Sequence, residues 1–216
     1  MPLTIEIFSD LVCPWCFIGK RRLDRVLASP VGEDVEVHWR AYQLAPRLPV
    51  EGVDRARYYA AKFGTDGKKV PTRITEEASA EGIVMNFAAI EKMPNTFLGH
   101  RLMVYAETSG GAALQHELAE ALFQAYFQQG KDVGDRETLL SIGATVGLDA
   151  QLARDYLAGD GGIAQVQAEL DRAVDIGVSG VPCFLLGGTF PIPGAQNAEV
   201  MASFITRAKQ KLVTPA

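Results

Sequence analysis

The sequence predicts an α/β fold whose sheet is interrupted along the chain by a long all-helical insertion. Three observations predict it. Residues 3–8 and 35–39 each alternate in a strand-like period around a helix-like run, the texture from about residue 49 to 159 is almost wholly helical, and a hairpin-like segment returns near the C-terminus. The chain therefore divides into a discontinuous core, residues 1–48 and 160–216, and an inserted helical domain, residues 49–159.

Leu3, Ile5 and Ile7 alternate with Thr4, Glu6 and Phe8, which predicts a short strand with Ser9 and Asp10 as its turn. From Pro14 the period changes: Cys16, Gly19, Leu23, Val26 and Leu27 fall on one helical stripe, and Pro14 suits a first turn whose N–H lacks a partner anyway. Val35 to Trp39 alternate again, and a crossover of this length makes the two strands parallel. After the loop LAPRLPVEG, helices follow with Gly or Asn punctuation. Asp54 opens one, and Leu114, Leu118, Ala121, Leu122 and Ala125 stripe another, leaving His116 off the stripe and facing solvent. Shorter helices follow over Arg136–Val146 and Ala150–Leu157, and a longer one over Ile163–Ile176 is ended by Gly177. VPCFLL, a Gly187-Gly188 turn and TFPIP read as a hairpin, and Asn197 caps a last helix through Lys211.

With 216 residues and a hydrophobic fraction of 48%, the chain buries enough surface to fold without disulfide staples. Its 21 basic against 26 acidic residues, net charge −5, argue against a nucleic-acid partner held by phosphate neutralisation. Lys20, Arg21 and Arg22 read as a solvated helix face, with Lys20 and Asp24 four apart. The longest uncharged run, Ile176 to Ala198, carries three prolines and five glycines, so strands and turns explain it better than a membrane helix. The start MPLTIEIFSD has no cationic region followed by an apolar core, so the expected address is cytoplasmic, where thiols stay reduced and a CxxC points to redox or metal chemistry.

SDLVCPWCFIGKRRL places Cys13 and Cys16 three positions apart at a strand-to-helix junction. On a first helical turn that spacing brings the Cα atoms to about 5–6 Å, within reach of a disulfide. Cys13 lies at the helix start, where free N–H groups favour a thiolate, and is expected to be the exposed nucleophile. Cys16 lies on the apolar stripe as the shielded resolving thiol. A metal site needs two further ligands, and Cys183, His38, His100 and His116 form no second close pair, so no metal is expected. Dithiol–disulfide chemistry is the expectation, ahead of zinc or of two ordinary buried thiols.

FSDLVCPWCFIGKRR, MPNTFLGHRL, GVSGVPCFLL and FPIPGAQ, in that order, resemble FrnE-like proteins, a branch of the DsbA family of thioredoxin-fold oxidoreductases. The resemblance implies a DsbA-like thioredoxin fold, with a mixed central sheet and a helical insertion. It also implies Cys13 as nucleophile, Cys16 as its partner, and Pro182 as a cis-proline that presents the Val181 backbone to an extended peptide. Pro14, Trp15, Glu6, Asp10 and His100 complete the supporting set. Two roles for Glu6 stand side by side: an acid beneath Cys16 that exchanges its proton, or a solvent-facing strand residue. Trp15 either tunes and covers the disulfide or offers a docking aromatic. Cys183 is expected to be a small apolar strand residue. For His100 and Arg101 a structural hydrogen-bonding role is favoured.

The function expected is a thiol–disulfide oxidoreductase acting on protein or small-molecule thiols and disulfides, as a monomer or homodimer. It has no bound cofactor, with glutathione as a candidate redox partner. Its rivals are a glutathione-dependent isomerase or transferase of the 2-hydroxychromene-2-carboxylate isomerase and kappa type, which carries serine where Cys13 stands, and a non-catalytic peptide- or metal-binding module.

Overall fold

Leu3, Ile5 and Ile7 point to one side of strand β1 (Leu3–Ser9) and Glu6 and Phe8 to the other, and all five are buried, so β1 is covered on both faces and sits inside the sheet. The computed structural model, which describes residues 2–64 and 71–213, pairs β1 in parallel with β2 (Val35–Ala41) and antiparallel with β5 (Cys183–Leu186). The hairpin strand β6 (Phe190–Pro193) completes a mixed sheet of order β2-β1-β5-β6. Helix α1 (Pro14–Leu27) joins β1 to β2, and its stripe residues Cys16, Gly19, Leu23 and Val26 are buried as their spacing requires.

Between β2 and β5 the described residues run through a two-residue strand pair, β3 (Val53–Asp54) with β4 (Lys92–Met93), and six α-helices. These are α2 (Arg55–Phe63), α3 (Thr72–Ala80), α4 (Phe97–Phe127), α5 (Arg136–Thr145), α6 (Ala150–Ala158) and α7 (Ile163–Asp175). The last helix, α8 (Ala198–Val213), begins where the Asn197 side chain accepts from the Val200 N–H. Asp54, Asp135 and Asp149 accept in the same way at the starts of α2, α5 and α6. Helix α4 kinks at Gly111 (φ 76°, ψ −173°), where helical geometry breaks between two helical segments, as the glycine punctuation of the sequence suggests.

One apolar cluster joins sheet and helices. The Phe17 ring of α1 stacks on Phe123 and Phe127 of α4 at centroid distances of 5.3 and 6.1 Å, in the same apolar cluster as Ile5 and Ile7 of β1. This packing corrects the expectation for the charged face of α1. Lys20 and Arg22 are buried, because α3 and α4 lie over the side that periodicity assigns to water. Lys20 meets Asp24 at 2.8 Å and Glu120 at 3.1 Å; Arg22 pairs with Glu77 and Glu81 and donates to the Ala195 carbonyl at 2.6 Å. His116 is likewise not free in solvent: its Nδ1 accepts from Trp39 Nε1 at 3.2 Å and its Nε2 donates to Asp24 at 2.7 Å.

Both sheet edges are blocked near the C-terminal end of β1. On β6, Pro191 and Pro193 lack the N–H that an added strand needs. On β2, the fully buried Gln115 amide of α4 takes the place of a neighbouring strand, accepting from Trp39 N at 2.8 Å and donating to Trp39 O at 3.1 Å. Glu169 accepts from Ala41 N at 2.8 Å. Among the described residues no helix is long and apolar enough to cross a membrane.

Candidate functional site

The turn after β1 carries the two cysteines. Cys13 is the N-cap of α1, with extended backbone (φ −92°, ψ 113°) and Pro14 next in the helix; its N–H donates to Asp10 O at 3.0 Å, and its carbonyl accepts from Cys16 N at 3.0 Å. All three cysteines are free thiols. The expectation of an exposed Cys13 is corrected: the residue is 4% exposed, and its thiol donates to the Val181 carbonyl at 3.5 Å across 168 positions of sequence. The Val181–Pro182 bond is cis. Gly19 permits this approach, since a Cβ there would lie 3.1 Å from both the Pro182 ring and the Phe184 ring.

Cys16 is 1% exposed, and its thiol pKa is pushed well above the ordinary value, first by burial and then by the neighbouring Cys13. The Ser9 hydroxyl and the Asp10 backbone N–H act in the opposite direction. Trp15 is half-buried beside the motif with the Arg73 guanidinium of α3 over its ring at 5.5 Å.

Asp10 and His100 meet behind the turn. Asp10 is 1% exposed; its Oδ2 accepts from Leu44 N at 2.7 Å, and its Oδ1 lies 3.8 Å from His100 Nε2. That imidazole nitrogen donates to Tyr42 O at 3.1 Å, so both side chains fasten the loop after β2 against the cysteine turn. Arg101 points away to gather the carbonyls of Tyr156, Gly159 and Gly161 at 2.6 to 3.0 Å.

Glu6 fills neither role expected of it. The alternation of β1 carries it to the sheet face opposite Cys16, where Arg172 of α7 holds both its oxygens at 2.6 Å and Arg40 adds a bond at 3.0 Å. The Arg172 bond is the chief reason its carboxyl titrates below the ordinary glutamate value, against the opposing effect of burial. A depressed carboxyl stabilises the fold above its unfolded pKa, and that stability drains away as pH falls through the folded one. Glu6→Gln is therefore expected to narrow its stability gap to wild type as pH drops below about 4.3, with the full gap near neutrality; urea melts across pH 2.5–7 measure it.

Cys183 pairs with Phe8 across the sheet and packs with Phe8, Ala173 and Leu185 on this same α7 face, turned from the CxxC pair. Among the described residues no cluster of three or more His, Cys, Asp or Glu is placed to hold a metal ion. An open groove of about 660 Å³ borders Val181 and is lined by Val178, Ser179, Thr189, Pro191 and Pro193.

The family model described as DSBA-like thioredoxin domain matches residues 4–206. The chain belongs to that family. Its DSBA-like thioredoxin fold is shared over 99% of the chain, at TM-score 0.89 and 30% identity, with the crystal structure of probable DsbA oxidoreductase SCO1869 from Streptomyces coelicolor, 92% of which is covered. The uncharacterized protein YwbO of Bacillus subtilis is 29% identical over 98% of this chain and 100% of its own. The cytosolic disulfide reductase DsbM from Pseudomonas aeruginosa, solved with GSH, shares the fold at TM-score 0.67 and 16% identity, with 96% of this chain and 99% of that one covered. Within the DSBA-like frame, the groups that sequence reasoning missed are Gln115, Glu169, Arg40 and Arg172. They act through partners far away in the chain, and a single sequence carries no signal for such pairs.

Proposed function

We propose that this chain is a thiol–disulfide oxidoreductase of the cytoplasm that cycles Cys13–Cys16 between dithiol and disulfide through mixed disulfides with protein or small-thiol substrates. The observation that carries the reading is the pairing of unlike thiols: Cys13 at the start of α1 against the Val181 carbonyl, and Cys16 one turn further in, buried and kept protonated. The Cys13 thiolate attacks a substrate disulfide and expels one half as a thiolate. Cys16, deprotonated, then attacks the Cys13 sulfur, closes the protein disulfide and releases the other half, so two electrons pass to the substrate. The same steps in reverse oxidise a dithiol. The Val181 backbone beside the sulfurs suits an extended peptide, and glutathione is the proposed small-thiol partner.

The test is a titration against mixtures of reduced and oxidised glutathione. Two thiols per chain are expected to disappear together at the oxidising end, with the Cys13–Cys16 link identified by peptide mass and Cys183 still free. A protein that forms no such link at any ratio refutes the reading.

A further inference from the structure

A cavity of about 790 Å³ lies on the flank of the molecule, bounded by the loop after β2, the starts of α4 and α5, and α7. That volume falls in the range of small-molecule sites. Among the described residues that line it, neither Cys13, Cys16 nor Pro182 appears. Tyr42, which packs on the same apolar cluster as Val181, links the two regions. The walls are apolar and open. Helix α7 turns Ile163, Leu170 and Val174 to the cavity, a stripe at helical spacing, and Val50 and Phe97 line it from other elements. Val50, Ile163 and Val174 are 81%, 39% and 75% exposed, an unusual grouping of bare apolar side chains around one hollow.

Two guanidiniums stand in this apolar frame. Arg101 is 6% exposed, and its Nε and Nη2 are spent on the carbonyls of Gly161, Tyr156 and Gly159 around the end of α6. Its Nη1 has no hydrogen-bond partner among the described residues and is not sealed inside the protein, so that donor is left to the cavity. Arg136, the first residue of α5, is exposed and makes no ion pair among the described residues. Burial lowers the Arg101 pKa and the like charge of Arg136 adds to that effect, against Tyr156 and Asp160. Asp171 is the lining carboxylate, and Gln167 donates to it at 2.8 Å. Two positive groups against one negative leave the lining with one positive charge in surplus.

We propose that this cavity binds a small organic monoanion, an aliphatic or aromatic body carrying one carboxylate. The carboxylate takes Arg101 Nη1 and Arg136, and the body lies along Ile163, Leu170 and Val174. The charge selects the ligand: a guanidinium fork matches the two oxygens of a carboxylate, and one negative charge balances the surplus, whereas a phosphate monoester brings about two. The apolar stripe excludes a small hydrophilic anion as the best fit, because such a ligand leaves those side chains in water. The site does not involve the cysteine chemistry and so goes beyond the oxidoreductase reading.

The experiment is calorimetric titration of the full chain with octanoate and 4-phenylbutyrate, each paired with its uncharged alcohol, octanol and 4-phenylbutanol. One site per chain is expected, with at least one acid binding about tenfold or more tighter than its alcohol, the worth of a charge-assisted hydrogen bond. Arg136→Gln is expected to weaken the acid about tenfold, and Val174→Asp to weaken it at least as much. Both positions are exposed, so the fold tolerates the changes, whereas Arg101 is left intact because it holds the end of α6. Asp171→Asn is expected to tighten the acid about twofold to fivefold by removing the opposing charge, a gain that damage to the fold does not produce. Equal affinity for acid and alcohol overturns the anion site. Unchanged affinity in both Arg136→Gln and Val174→Asp overturns the location, and no saturable binding of either acid overturns the proposal. None of these results bears on whether Cys13 and Cys16 form a disulfide.

Discussion

Cys13→Ser is expected to lower insulin-disulfide reduction by more than about 1,000-fold, whereas Cys16→Ser is expected to accumulate a mixed disulfide with its substrate. The asymmetry follows from position. Cys13 caps α1 beside the Val181 carbonyl and makes the first bond to substrate; a serine hydroxyl there is a far weaker nucleophile and forms no disulfide. Cys16 is sealed behind it at 1% exposure, so without its sulfur the first bond still forms but nothing inside the protein displaces the substrate. Non-reducing electrophoresis and intact mass read the trapped species directly. Full activity in Cys13→Ser would leave the proposed cycle without a nucleophile.

Phe17→Ala is expected to cost about 3–5 kcal/mol of folding stability, the range for deleting a fully buried aromatic ring. Phe17 follows Cys16 directly, and its stacking on Phe123 and Phe127 joins the redox turn to the helical segment. Removing the ring opens a cavity between α1 and α4 that the stacked rings of Phe123 and Phe127 fill only in part. Guanidinium unfolding of the reduced proteins measures the loss. A change below about 1 kcal/mol would contradict this account of how the turn is anchored.

Local features were legible in the sequence wherever a residue's partners lie close by in the chain. The alternation of β1 and β2, the stripe of α1, the Asn197 cap and the CxxC turn each repeat a short-range period or spacing, and each element lies where that pattern puts it. Two-residue strands such as β3 and β4 have no period to read, whereas the kink of α4 at Gly111 falls at the glycine punctuation. The charged face of α1 was misread because α3 and α4, which cover it, come from 50 to 100 positions further on. The same limit governs the site. That Cys16 is shielded follows from its stripe, but the closing of Val181 over Cys13 and the capture of Glu6 by Arg172 each span more than 160 positions. Family resemblance supplied the first of these, and nothing in the sequence supplied the second.

The blocked margins of the sheet bear on how a client chain finds the sulfurs. An unfolded polypeptide recognises any row of unpaired strand backbone, so open rows near Cys13 would act as decoys that hold it out of reach of the chemistry. With the Gln115 amide seated on Trp39 and prolines at 191 and 193, those decoys are removed at the end of the sheet where the cysteines sit. Under the proposed function an extended client would use the Val181 backbone, which lies beside Cys13, so docking there and meeting the thiol would be a single event.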